Sequence, residues 1–106
     1  MRYFVDFHKY HYEYWEADNG SGKLEWFINR ELIEVYEGDM SEGWASGEGT
    51  LISKDGYRYK GSWKKSTQSG FGIAETSDGY RYEGNWENGK QHGEGIYTSK
   101  NGATKE

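Results

Sequence analysis

A repeat of 23 residues constrains this chain more than any other feature of its sequence. Residues 36–56, 59–79 and 82–102 align without a gap, and each copy begins with tyrosine. Each also has glycine two residues later, a Gly-x-Gly triplet in its middle and a closing glycine. Self-similarity at a fixed period indicates stacked copies of one supersecondary unit. The sequence therefore predicts a repeat array.

Alternation inside each copy predicts β-strands. In the third copy, Tyr82, Gly84 and Trp86 would share one face of a strand, because successive side chains of a strand point to opposite faces. Glycine between aromatic residues leaves room for the rings to lie on the sheet. The pattern favours an all-β fold whose core is aromatic.

Turn signals divide each copy into two strands. The turn-rich stretch Glu87 to His92 predicts an antiparallel hairpin in the third copy. The predicted cross-strand pairs are Trp86 with Gly93, Gly84 with Gly95 and Tyr82 with Tyr97. A second turn closes each copy, at Asp55-Gly56, Asp78-Gly79 and Asn101-Gly102, which are strong hairpin dipeptides. Two strands and two turns per copy predict a continuous meander.

The pattern Tyr-x-Gly-x-Trp, Asn-Gly-Lys-x-His-Gly-x-Gly-x-Tyr and a closing Asn-Gly, found in residues 82–102, resembles the MORN (membrane occupation and recognition nexus) repeat. The second copy keeps this framework with a different turn, and the first has Met40 in place of the tryptophan. The resemblance implies an elongated, curved, single-layer antiparallel β-meander of β-hairpin repeats. It also implies a groove used mainly for protein binding, and a role in lipid binding has been attached to the family.

The predicted organisation is an atypical N-terminal β cap or degenerate repeat (1–33), three repeats (34–56, 57–79 and 80–102) and a frayed tail (103–106). Alternating aromatic residues at Tyr10, Tyr12 and Tyr14 favour strands in the cap. Residues 29–36 leave two alternatives open, a strand or a helical turn. Repeat arrays need atypical ends because their terminal faces have no neighbour.

Composition and charge narrow the function. Ten Tyr and five Trp supply apolar surface that the few aliphatic residues do not, so we expect a folded chain. A net charge of −5 argues against non-specific binding to nucleic acid. Cysteine is absent, which excludes disulfides and thiolate chemistry. We expect a cytoplasmic protein without cofactors, since no signal peptide or membrane-spanning run is found.

Six aromatic residues are the predicted protein-binding set: Tyr36, Trp44, Tyr59, Trp63, Tyr82 and Trp86. The five repeat aromatics have two interpretations. They could pack over glycine as the core, or leave part of their surface as an open aromatic groove for a partner.

Trp44 is a separate case, because it is placed in the turn of the first repeat, where no glycine pattern receives a ring. It is either an exposed binding residue or a filler of the space that Met40 leaves.

Other candidate chemistry has weaker support. Lys60, Lys64 and Lys65 could form a phosphate or lipid contact, although a solvated face is the simpler interpretation. His8 and His11 would lie on opposite faces of a strand, so no metal site is expected. Carboxylates such as Glu83 and Glu94 fall on the polar face of the predicted sheet, and no catalytic fingerprint is found. We therefore do not expect an enzyme.

The sequence predicts a non-catalytic protein-binding module or adaptor, whose partner is another protein or a second copy paired through a sheet edge. The alternatives are a peripheral phospholipid-binding module and a small acidic inhibitor that covers a basic surface of an enzyme.

The lipid alternative has a direct test. Because the chain is acidic and has no amphipathic anchor, we expect weak or absent co-sedimentation with anionic vesicles at about 0.15 M salt, where exposed charges are screened beyond about 8 Å. Tight, saturable binding under these conditions would favour the phospholipid-binding alternative.

Overall fold

The structure is a computed structural model that describes residues 2–7, 10–102 and 104–105, with side chains from Tyr10 to Gly102. Within these residues the chain forms ten strands and no helix. The strands are β1 (Arg2–Phe7), β2 (Tyr10–Glu16), β3 (Ser21–Ile28), β4 (Glu31–Ser41), β5 (Trp44–Ser53), β6 (Arg58–Lys64), β7 (Thr67–Glu75), β8 (Arg81–Glu87), β9 (Lys90–Thr98) and β10 (Thr104–Lys105). Each strand pairs antiparallel with the next, in one sheet with the order β1 to β10.

The sheet is elongated, with extents of 44 × 29 × 19 Å. Its radius of gyration of 14.7 Å exceeds the roughly 13 Å expected of a compact domain of about 100 residues. The predicted all-β, single-layer antiparallel meander is confirmed. Residues 29–36 contain a turn and the start of β4, so the helical alternative is wrong.

Two-residue turns join the strands within each repeat. They are Glu42-Gly43, Lys65-Ser66 and Asn88-Gly89, and all six residues have positive φ. A pair of positive φ values is the conformation that matches the twist of a tight hairpin. The third turn is therefore much shorter than the predicted stretch from Glu87 to His92, because β9 already begins at Lys90.

A β-bulge interrupts every repeat hairpin at the same place. In the third repeat, Gly84 pairs with Gly95 and Tyr82 with Tyr97, as predicted, but the register then shifts and Trp86 pairs with Gln91. The predicted pair of Trp86 with Gly93 is wrong for this reason. Gly93 has a φ of 72°, a conformation that side chains disfavour and that bulges commonly use.

Tyr59 shows how the core is built. Its ring lies on the paired glycines of β6 and β7, and a Cβ on Gly72 would overlap it. Its hydroxyl donates a hydrogen bond of 2.9 Å to the carbonyl of Ser62, the bulge residue without a register partner on β7. A buried tyrosine hydroxyl needs such a partner. The equivalent bonds join Tyr36 to Asp39 and Tyr82 to Asn85, at 2.6 and 3.0 Å.

Tryptophans connect one repeat to the next. The indole N–H of Trp63 donates to the Gly49 carbonyl at 3.1 Å, and that of Trp86 donates to the Gly72 carbonyl at 3.3 Å. Each tryptophan ring packs edge-to-face between the tyrosine of its own repeat and that of the preceding one, with centroids 5.0–5.5 Å apart. The result is a continuous aromatic chain from Tyr36 to Tyr82.

Strands β2 and β3 continue the repeat register in a shortened form. Tyr14 pairs with Leu24 in the same row as Tyr36 and Leu51, and Glu16 pairs with Gly22 where a repeat has two glycines. The chain turns directly after this pair, so the segment lacks the bulge and the tight hairpin end. At the other end, Thr104 and Lys105 pair with β9, so this part of the predicted frayed tail is a short strand.

The packing of rings on glycines predicts the effect of Gly84→Val. A Cβ at Gly84 would lie 2.5 Å from the Glu94 carbonyl oxygen and 2.7 Å from the Tyr82 hydroxyl. We expect a loss of stability of several kcal/mol, since overpacking alone costs about 1–3 kcal/mol. Chemical denaturation measures it.

The matched control is Glu83→Val, which adds the same side chain one residue earlier, on the opposite face. It should change the free energy of unfolding by less than about 1 kcal/mol, because the half-buried Glu83 loses only a surface ion pair with Arg81. Equal stability of the two variants would contradict the packing.

Candidate functional site

The predicted binding residues separate into two groups. The five repeat aromatics are buried, with exposed fractions between 0 and 7 %, whereas Trp44 is 49 % exposed. The buried group is Tyr36, Tyr59, Trp63, Tyr82 and Trp86. These rings form the core of the sheet. Their role in partner binding stays a prediction.

Burial also changes the acidity of the core tyrosines. It raises the pKa of Tyr59 to about 12, with smaller contributions from the Glu48 carboxylate and from Tyr57, while the hydrogen bond to Ser62 acts in the opposite direction. The pKa of Tyr36 is raised further by burial and then by the nearby Asp39 and Glu48 carboxylates. Both hydroxyls therefore stay protonated well above neutral pH.

Trp44 is the first residue of β5, directly after the tight turn. The Met40 side chain is itself buried and would overlap a Cβ on Gly22, so it already covers this part of the sheet. Half of the Trp44 side chain is exposed, and the choice between the filler and the binding alternatives stays a prediction. Trp44 lies beside β2 and β3.

Trp44 lines a cavity of about 360 Å³, which we call the Trp44 cavity. Its lining residues are Tyr12, Tyr14, Leu24, Trp26, Glu42, Gly43, Trp44 and Ser66. Four of these eight are aromatic, and Leu24 is only 2 % exposed. The cavity therefore combines aromatic surface with one carboxylate and one serine.

Tyr14 lines the cavity because its own strand departs from the repeat. Glu16 stands where a repeat has glycine, so the ring does not lie on a glycine pair as Tyr59 does. Its hydroxyl instead reaches the β4–β5 turn, where a Cβ on Gly43 would be 2.9 Å away. The Glu16 carboxylate accepts a 2.9 Å hydrogen bond from the Gly43 N–H. These contacts hold the turn beside β2.

Ser66 joins the cavity from the next repeat. Its hydroxyl accepts a 2.9 Å hydrogen bond from the Ala45 N–H, and its own N–H donates to the Ala45 carbonyl at 2.9 Å. Ala45 is fully buried. The strand that bears Trp44 is thus fixed from both sides, which gives the cavity a defined shape.

Sequence reasoning identified Trp44 but missed the other lining residues. The alternation of Tyr12 and Tyr14 predicts a strand but no site, and no sequence pattern indicates Trp26. The missing signal was register: Tyr12 pairs with Trp26 and Tyr14 with Leu24, on the same face as the core. This pairing could not be derived from the 23-residue repeat, because β2 and β3 lie outside the three aligned copies.

The three predicted basic residues do not form a built site. Lys60 lies on the face opposite the core, between Thr50 and Ile73, whereas Lys64 ends β6 and Lys65 lies in the turn. All three are exposed. Their role in lipid or phosphate contact stays a prediction.

A second pocket, of about 550 Å³, contains two carboxyl groups. It is lined by Ile33, Glu34, Ser53, Lys54, Asp55 and Tyr57. Burial, and then the Asp55 charge, raises the pKa of Glu34. Hydrogen bonds from the Ser53 hydroxyl and the Tyr57 N–H lower the pKa of Asp55. Those two bonds close the wide turn between β5 and β6, so Asp55 has a structural role.

Metal-binding residues do not converge in the part of the chain that the structure describes, where no three His, Asp or Glu residues are placed to hold an ion. His11 stacks on Phe27, with ring centroids 4.5 Å apart, and His8 lies outside the described residues. Among the described residues, no helix has the length and apolarity needed to cross a bilayer.

Comparison with protein families agrees with the repeat architecture. The family model for the MORN repeat matches residues 36–56, 59–79 and 82–104, more than half of the chain. The chain is a MORN repeat protein. MORN repeats are generally protein-binding or membrane-binding modules. A search of curated proteins finds no match to this chain. The Trp44 cavity straddles the start of the MORN array, since Tyr12, Tyr14 and Trp26 precede the first matched residue.

The acidity of the MORN array tyrosines predicts an alkaline transition. In the unfolded chain Tyr59 ionises near pH 10, whereas in the folded chain its pKa is about 12. Its contribution to stability should be complete below pH 10 and be lost as the pH rises to about 12, because the unfolded state then binds fewer protons. Denaturant titrations between pH 8 and 12 measure this loss.

Tyr59→Phe should reduce the stability lost over this interval. At pH 8 it should be about 1 kcal/mol less stable than the parent, because the Ser62 carbonyl loses its donor. Tyr80→Phe removes a hydroxyl from an exposed ring and should leave stability at pH 8 unchanged. Parallel pH profiles for the parent and Tyr59→Phe would contradict the assignment.

Proposed function

We propose that this chain is a non-catalytic protein-binding module that contacts its partner through the Trp44 cavity. The observation that carries the proposal is the half-exposed ring of Trp44, held at the start of a hydrogen-bonded strand and outside the aromatic core. A large apolar ring that the core does not require is a candidate for partner contact. Tryptophan is enriched among the residues that dominate binding energy.

The surroundings of Trp44 support this proposal. Tyr12, Tyr14 and Trp26 pack against the core but are only partly buried, so part of each side chain remains as apolar surface beside Trp44. Glu42 and Ser66 supply polar groups at the same cavity. Interfaces of this composition, aromatic in the centre and polar at the rim, are typical of protein recognition.

The proposed absence of catalysis rests on the same geometry. Glu34 and Asp55 line one pocket and their pKa values are shifted in opposite directions, but the hydrogen bonds of Asp55 are used by a turn. General acid–base catalysis requires a group positioned for substrate, with a pKa near the working pH. The described residues that line the Trp44 cavity include one carboxylate and no histidine.

Net charge indicates the kind of protein partner. With a charge of −5, the chain would associate faster with a basic surface than with an acidic one. A basic surface of an enzyme is one such partner, so inhibition is compatible with this proposal. Membrane binding is less favoured, because the three candidate lysines are dispersed over β6 and its turn.

The test is quantitative affinity capture from the native host with the parent chain and Trp44→Ala. We expect a stoichiometric protein partner with the parent, and at least a tenfold weaker affinity with the variant, or about 1.4 kcal/mol. Because the Trp44 ring is half exposed, Trp44→Ala should lower stability by less than the about 3–5 kcal/mol expected when a fully buried ring is removed. Thermal melting checks this.

Phe71→Ala is the matched control, because Phe71 is 48 % exposed and lies on the opposite face of the sheet. It should retain the partner. If Trp44→Ala captured the same partner with the affinity of the parent, or if Phe71→Ala lost it equally, the Trp44 cavity would not be the binding site.

A further inference from the structure

We propose that the Trp44 cavity binds the trimethylammonium group of a methylated lysine in a partner protein. This inference rests on the proposed protein-binding function and adds the chemistry of the group that is recognised. It is argued from the rings that line the cavity, the charge of its polar groups and its size.

Aromatic rings approach the cavity from three strands. On β2, the rings of Tyr12 and Tyr14 have centroids 6.3 Å apart and planes inclined by 25°. On β3, Trp26 is the cross-strand partner of Tyr12, and Leu24 forms a buried apolar base beside Tyr14. Trp44 approaches from β5. The lining of the cavity therefore includes aromatic side chains from three strands.

This arrangement favours a cation. The face of an aromatic ring attracts positive charge, most strongly for tryptophan, and aromatic cages bind quaternary ammonium groups in this way. Glu42 adds a negative charge, and none of the eight described lining residues is lysine or arginine. A neutral apolar ligand would gain nothing from the Glu42 carboxylate.

Methylation selects the ligand further. An unmodified lysine ammonium is a compact, strongly hydrated charge with three hydrogen-bond donors. The aromatic rings of the cavity do not replace the hydrogen bonds to water that those three donors would lose on binding. A trimethylammonium group has no donor, and its methyl groups can contact the rings directly. The cavity is therefore expected to favour the trimethylated side chain over the unmodified one.

The charge around the cavity distinguishes lysine from a choline lipid. Phosphocholine carries a phosphate close to its ammonium group, which would approach the carboxylate of Glu42 and that of Glu16 at the same turn. A methylated lysine side chain has only methylene groups there. The net charge of −5 further favours a segment of basic protein.

The size of the cavity fits one side chain. Its volume of about 360 Å³ is at the small end of the roughly 300–1,000 Å³ typical of ligand pockets. This is suited to the head and stem of a single long side chain.

The experiment is a titration of the full chain with blocked amino acids, followed by calorimetry and by tryptophan fluorescence. The probes are Nα-acetyl-trimethyllysine amide, the unmethylated amide, an uncharged tert-butyl isostere in which carbon replaces the ammonium nitrogen, and phosphocholine. We expect saturable binding of the trimethylated probe, at least about tenfold tighter than the other three.

Variants locate the binding site. Trp44→Ala should abolish measurable binding, and Glu42→Gln should weaken it several-fold while keeping the shape of the side chain. Phe71→Ala, on the opposite face, should bind as the parent does. Circular dichroism melts establish whether each variant is folded. If Trp44→Ala does not fold, Glu42→Gln still tests the proposal.

Each departure from this pattern overturns the proposal. Equal binding of the tert-butyl isostere would make the cavity an apolar pocket, and tighter binding of phosphocholine would make the source a lipid headgroup. No binding of the trimethylated probe to the folded parent would also refute it.

If a protein partner still required Trp44 in that case, the proposed function would stand and only the ligand chemistry would fail. If the probe bound but no partner required Trp44, the proposed function would fail instead.

Discussion

The packing of each repeat tyrosine over a pair of glycines, with its hydroxyl bonded to the carbonyl of a bulge residue, is the interaction on which the rest of this structure depends. The Tyr59 hydroxyl reaches the Ser62 carbonyl only because its ring lies flat across two paired glycines. The ring covers backbone that glycine leaves bare, and the bulge provides an acceptor for a buried hydroxyl. The buried tyrosines, together with Trp63 and Trp86, supply most of the large side chains of the core, which explains how a single-layer sheet is stable with so few aliphatic residues.

The sequence predicted the repeat, its strands and two of three cross-strand pairs, because these follow from period and alternation. It did not predict the bulge. Alternation assumes that both strands advance together, so Trp86 was placed opposite Gly93, whereas Gly93 lies in the irregular part of the hairpin with positive φ. A glycine required for its backbone conformation and a glycine required for its small size look alike in a sequence.

The candidate site was harder to predict for a related reason. Trp44 can be identified from the sequence because it departs from the repeat pattern. Its neighbours on β2 and β3 pair in the same register as the repeats, but their sequence does not show the 23-residue period. One departure shapes the cavity: Glu16 replaces a glycine, so Tyr14 turns toward Gly43. In a fold that otherwise follows its sequence pattern, functional sites are expected at the positions that depart from that pattern.

The aromatic chain from Tyr36 to Tyr82 has a consequence for how such proteins can evolve. Each tryptophan contacts tyrosines of only two adjacent repeats, so the contacts of one copy are complete once its neighbours are present. Duplication of an internal 23-residue unit would preserve every such contact and lengthen the array without new compensating mutations. The N-terminal end could not be duplicated in this way, because Met40 packs on Gly22 and Tyr14 on Gly43, and these two contacts do not recur in the other repeats. Gene duplication can therefore vary the length of the array while the end that bears Trp44 is inherited intact.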